Sequence, residues 1–206
     1  MGNSVPDNEI QHIMQEGLVR NTCGTIEPGI AETWEISEDG TTYTFHLRDA
    51  VYTDGTPITA QDFLYTFRRL ADPATAAPYS WIMDGHVKNG GDVVAGTLPV
   101  EELGVSAPDD KTFVIELEYP QSYFLSLIGS CGQFTPVRQD KVEEYGKDYA
   151  ATADKMVTCG PFTMVSSANR QYIFEKNENY WNADAINFDR IELSVIETGD
   201  TQLAMY

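Results

Sequence analysis

Tyr43, Phe45 and Leu47 alternate with Thr42, Thr44, His46 and Arg48. This period-2 pattern predicts a half-buried strand. Asp39-Gly40 before it marks a tight turn from an incoming run that carries Trp34 and Ile36, so the stretch reads as a hairpin. Asp54-Gly55-Thr56-Pro57 is a second turn, after which Thr59 with Asp62 three residues on forms a capping-box signal. Phe63, Phe67 and Leu70 then recur at helical spacing and predict a helix with one apolar face.

The same reading extends along the chain. Ile10, Ile13, Met14 and Leu18 predict a helix capped at Asp7 or Asn8 and ending near Gly17. Asn21 to Pro28 and Asn89-Gly90-Gly91-Asp92 read as loops. Phe113, Ile115 and Leu117 alternate after the Asp109-Asp110 turn. Pro120 suits the first position of a helix, with Tyr123, Phe124, Leu127 and Ile128 as its buried face and Gly129 to Gly132 as its end. A helix is expected at 139–146, a strand over 156–165 broken by Gly160-Pro161, a hairpin over 162–176, and an alternating strand over 188–196. Thr201–Tyr206 reads as the start of a further helix.

At 206 residues the chain can bury a substantial core. Its 32 acidic against 13 basic residues give a net charge of −19, which argues against nucleic acid or an anionic membrane as partner. No run of about 18 apolar residues suggests a transmembrane helix. Cys23, Cys131 and Cys159 are widely spaced without a CxxC, leaving open one Cys131–Cys159 disulfide or three unpaired thiols. His12, His46 and His86 are scattered, and the paired carboxylates at 101–102, 109–110 and 143–144 are the ordinary furniture of solvated turns. No catalytic, metal-ligating or phosphate-cradling pattern emerges, and no cofactor is expected.

The run AETWEISEDGTTYTFHLRDAVYTDGTPITAQDF (31–63) resembles the extracytoplasmic solute-binding proteins of peptide ABC transporters. So do LADPATAAPY (70–79), ELGVSAPDDKTFVIELEYPQSYF (102–124), VTCGPF (157–162) and FEKNENYWN (174–182), in family order. The resemblance is nearest to the oligopeptide-binding branch and implies an α/β fold, one incomplete lobe of a periplasmic-binding-protein-like type II architecture, with mixed sheets and flanking helices. It implies that 16–135 is the smaller subdomain of that lobe and that 1–15 with 136–206 is part of the ligand-facing subdomain. A first strand ahead of residue 3 and a second lobe are expected outside this sequence. Export is implied too, with any leader or lipid-anchor signal upstream of Met1.

A sequence-tolerant peptide binder works through main-chain hydrogen bonds to an added strand. Asn3-Ser4-Val5 is the segment the resemblance offers for that role, since Pro6 biases Val5 toward extended geometry. Asn3 replaces the acidic residue expected there, which affects a side-chain role and not a backbone one. Tyr79 matches a family tyrosine that reaches the peptide, while Trp81 is expected to pack. The groups that neutralise the peptide's charged ends are expected in the other lobe. The implied partners are an oligopeptide and the membrane subunits of an ABC permease. Readings that stay open are a relative retuned to nickel, haem or a saccharide, and a surface adhesion or signalling module built on the same fold.

Overall fold

The computed structural model describes residues 5–168 and 171–196. In chain order the elements are α1 (Val5–Met14), the hairpin β1 (Val19–Thr22) and β2 (Thr25–Pro28), β3 (Ala31–Ile36), β4 (Thr42–Leu47) and α2 (Ala60–Ala71). There follow α3 (Gly90–Val94), β5 (Val105–Asp109), β6 (Thr112–Glu116), α4 (Phe124–Ser130), α5 (Gln139–Tyr145), β7 (Phe162–Ala168), β8 (Gln171–Lys176) and β9 (Arg190–Ser194). The strands make a two-stranded β1-β2 sheet, a four-stranded sheet ordered β3-β4-β6-β5 and a three-stranded β7-β8-β9 sheet. Helices flank these sheets, as an α/β lobe requires, and every strand pair among the described residues is antiparallel.

The alternating residues of β4 and β6 meet in register. Phe45 pairs with Phe113 and Tyr43 with Ile115, so one sheet face is a continuous apolar surface. Onto it α2 lays Phe63 and Phe67, whose rings lie 5.8 and 5.3 Å from that of Phe113. The start of α2 is the one the capping signal predicts. The Asp62 carboxylate accepts from the Thr59 backbone N–H at 2.9 Å and from its hydroxyl at 3.1 Å. A second, smaller core joins Met14 of α1 to Phe162, Met164 and Phe174 on β7 and β8, with Ile10 and Ile13 packed against it.

Several expectations are corrected by this arrangement. Residues 19–28 form a hairpin, because Cys23 and Gly24 both take positive φ (52° and 93°) and turn strands too short to show alternation. Asn89-Gly90-Gly91-Asp92 opens the short helix α3. The helix after Pro120 begins only at Phe124, because Gln121 is tied down by tertiary hydrogen bonds. Its side chain donates to the Gly85 carbonyl (2.8 Å) and its own carbonyl accepts from the Tyr43 hydroxyl (3.1 Å). Tyr123 consequently faces outward. The 156–161 stretch is irregular, β7 starting at Phe162, and Leu18 lies past the end of α1. The helix expected at Thr201–Tyr206 lies outside the described residues.

Candidate functional site

Asn3 and Ser4 lie outside the described residues, and Val5 is the first residue of α1. The backbone at Val5 is thus helical, not extended as Pro6 alone suggested, because proline is readily accommodated in the first turn of a helix. Tyr79 sits in the connection after α2. There the Asp72 carboxylate accepts from Ala74 N–H at 2.9 Å and Ala76 takes a left-handed φ of 48°, which turns the chain. Tyr79 is half-buried against the main core, and its carbonyl accepts from Ile82 N–H at 3.0 Å.

Trp81 is 62% exposed, which overturns the expectation that it packs. It is one of several aromatics that the fold leaves outward here. The rings of His86 and Tyr123 meet edge to face at 6.0 Å, with the Tyr123 hydroxyl 3.4 Å from His86 Nε2. Tyr119 lies close to Gly85, where a side chain would come within 3.5 Å of its hydroxyl. Gln121 holds the 79–86 connection against 119–123. The result is a fixed aromatic surface continuous with the Tyr79 loop, of the kind that offers apolar area at small entropic cost.

Behind α1 is a buried polar cluster that sequence reasoning missed. Glu16 is 4% exposed and receives a hydrogen bond from the Tyr180 hydroxyl, with Arg20 Nε at 3.7 Å. Burial pushes the Glu16 carboxyl above its ordinary pKa, opposed by the Tyr180 hydrogen bond and the charges of Arg20 and Arg48. The Arg48 guanidinium stacks 3.6 Å above the Trp181 ring. Gly29 closes the cluster, since any side chain there would strike the Gly17 carbonyl at 2.5 Å. The sequence signal was the Glu-Gly-Leu and Asn-Tyr-Trp triplets, whose distance in the chain hides their contact.

Cys159 belongs to the same wall. Its thiol donates to Gln15 Oε1 at 3.3 Å, and burial raises its pKa far from the range of a reactive thiolate. The three cysteines are free thiols, so the Cys131–Cys159 pairing is not made. Gly160 donates to the Met14 carbonyl at 2.8 Å while Asn177 Nδ2 donates to the Gly160 carbonyl at 2.9 Å. Asn179 Nδ2 reaches the Thr53 carbonyl at 3.2 Å. The Cys-Gly-Pro-Phe and Asn-Glu-Asn-Tyr-Trp stretches therefore tie the end of α1 to the larger core. Among the described residues no group of His, Cys, Asp and Glu side chains could hold a metal, and no helix is long and apolar enough to cross a membrane.

Residues 25–206 match the family described as bacterial extracellular solute-binding proteins, family 5 middle. The chain is 40% identical over 181 residues to the periplasmic oligopeptide-binding protein OppA of Salmonella typhimurium, across 86% of this chain and 33% of that protein. Its fold superposes on a Listeria monocytogenes OppA bound to peptide with a TM-score of 0.95 at 36% identity, covering 100% of this chain and 41% of that one. A Haemophilus influenzae OppA in complex with RPPGFSPFR superposes with a TM-score of 0.93 at 36% identity, covering 99% and 40%. The chain spans about a third of the length of the curated relatives such as the Salmonella protein.

Proposed function

The chain belongs to the bacterial extracellular solute-binding proteins of family 5, and from that premise we propose that it forms part of the first lobe of an oligopeptide carrier serving an ABC transporter. The protein is extracytoplasmic in this reading, in the periplasm or held by a lipid anchor at the outer face of the membrane. It meets the membrane subunits of the permease there and is not an enzyme. The observation that carries the proposal is the match of the whole chain to a relative with peptide bound. Peptide is recognised through the backbone of Asn3, Ser4 and Val5, with Tyr79 contributing a ring and a hydroxyl. Main-chain recognition suits it, because hydrogen bonds to backbone tolerate any side chain on the ligand.

We also propose that the lobe divides into 16–135 and a ligand-facing unit of 1–15 with 136–206. The separation of the two buried clusters supports this, with the Glu16 contacts as the join. A second lobe supplies the charged partners of the peptide ends, and closure about a hinge buries the ligand. Native mass spectrometry of the intact gene product, purified without added ligand, tests the reading. A spread of bound masses that resolves into peptides on denaturation is expected. One discrete metal or sugar mass would replace the peptide by that ligand.

A further inference from the structure

A cavity of about 460 Å³ opens between α1, the end of α2 and the 146–158 segment. Among its lining residues are two cations, Arg69 and Lys147, and no Asp or Glu. That is unexpected in a chain with 32 acidic and 13 basic residues. Arg69 is half-buried and bonds the Tyr65 hydroxyl, on which the Glu143 charge also acts, and among the described residues it makes no ion pair. Thr158 is 3% exposed, and its hydroxyl, like Gln11 Oε1, is buried with no hydrogen-bond partner among the described residues. The backbone of Thr158 is pinned on both sides to Thr53, its carbonyl accepting at 2.8 Å and its N–H donating to the Thr53 hydroxyl at 3.3 Å, so the main chain that carries the hydroxyl is held in place. Tyr149 completes the wall; burial pushes its hydroxyl up to about 12, so it remains a donor at neutral pH.

A guanidinium without an ion pair, lining the same ligand-sized pocket as a hydroxyl and an amide oxygen that lack partners among the described residues, is what a bound anion would complete. Arg69 offers a planar fork that matches a carboxylate. Gln11 Oε1 offers an acceptor to an N–H on the same ligand. We propose that this cavity binds a small organic carboxylate bearing a neighbouring N–H, with Arg69 as its counter-ion and Thr158 and Gln11 as its polar contacts. The lining includes neither Tyr79 nor Val5, so the site stands apart from the peptide-binding reading and survives its failure. The chemistry is shared by a free α-amino acid and by the C-terminal residue of a peptide other than the transported one, whose ends the second lobe meets.

Calorimetric titration of the 206-residue chain with N-acetylglycine, N-acetylglycinamide and L-alanine tests the site. N-acetylglycine should bind saturably at one site and the uncharged amide about tenfold or more weaker. Tighter binding of L-alanine than of N-acetylglycine would assign the site to a free amino acid, and the reverse to a peptide end. Arg69→Gln should weaken N-acetylglycine about tenfold or more, with Arg69→Lys closer to the parent and Lys88→Gln, a remote surface change, without effect. Equal binding of acid and amide overturns the proposal whatever the variants do, as does the absence of saturable binding or an unchanged affinity in a folded Arg69→Gln chain.

Discussion

Gly160→Ala tests the junction between the two cores. A Cβ at Gly160 would sit 2.5 Å from Gln15 N and nearer still to the Met14 carbonyl carbon, and both are backbone atoms. That is about 1 Å short of ordinary contact, so α1 or the 158–161 segment must shift, an overpacking strain of about 1–3 kcal/mol. The shift also stretches the Gly160 N–H bond to Met14 (2.8 Å) and the Asn177 bond to Gly160 (2.9 Å). Each contributes about 1 kcal/mol net, and the stiffer unfolded chain returns about 0.4–1 kcal/mol. The expected loss is about 2–4 kcal/mol, or about 1–2 M in the urea midpoint for a chain of this size. Trp181, which stacks on Arg48 beside the junction, makes tryptophan fluorescence a suitable probe. Gly132→Ala is the internal control. Its Cβ would approach Gln11 Oε1 at 2.6 Å, which can swing away, and Gln11 Cβ at 3.1 Å, a tight contact that a shift of a few tenths of an ångström relieves, so the cost should stay below that of Gly160→Ala, at about 1 kcal/mol. A Gly160→Ala midpoint within about 0.3 M of the parent, or a Gly132→Ala loss as large, would refute the reasoning.

Three further outcomes are expected. Phe113→Ala empties the site where Phe63 and Phe67 meet β6 and should destabilise by about 3–5 kcal/mol in the same urea assay; a loss below about 1 kcal/mol would mean the core collapses around it. Because the Glu16 pKa is raised by folding from its ordinary 4.5, its burial weakens the fold at neutral pH; that penalty shrinks as pH falls through the raised value and is gone below about 4.5. Stability curves of the parent and Glu16→Gln should therefore converge or cross in the parent's favour as pH falls from neutral toward 4.5, and parallel curves would argue against a raised pKa. Tyr79→Ala in the intact carrier should weaken peptide about fivefold or more while moving the urea midpoint little, since the side chain is only half-buried and sits in a connection. A large midpoint shift with unchanged peptide affinity would make Tyr79 a packing residue.

The four-stranded sheet and α2 were legible because each carries its own signal. Period-2 alternation in β4 and β6, Asp39-Gly40 at the turn and the Thr59–Asp62 cap are all local. The failures have one physical origin, that the deciding contacts are distant in sequence. Pro120 looks like a helix start until Gly85 and Tyr43 tie down Gln121. Trp81 is expected to pack, yet the turn that carries it leaves it 62% exposed. Glu16 looks like a surface acid, and only the hydroxyl of Tyr180, 164 positions away, explains how it can be buried. The left-handed pair Cys23-Gly24 marks a hairpin that four-residue strands are too short to announce. Of the candidate site, Tyr79 was legible only through the resemblance of LADPATAAPY, and the exposed aromatics near it carry no local signal.

The central claim is that peptide is held by the main chain of residues 3–5. Amide hydrogen exchange across this segment in the intact carrier, with and without a bound tripeptide, addresses it directly. The account predicts slowed exchange at Ser4 and Val5 on binding, whichever side chains the tripeptide carries. Unchanged exchange there under saturating peptide would contradict it.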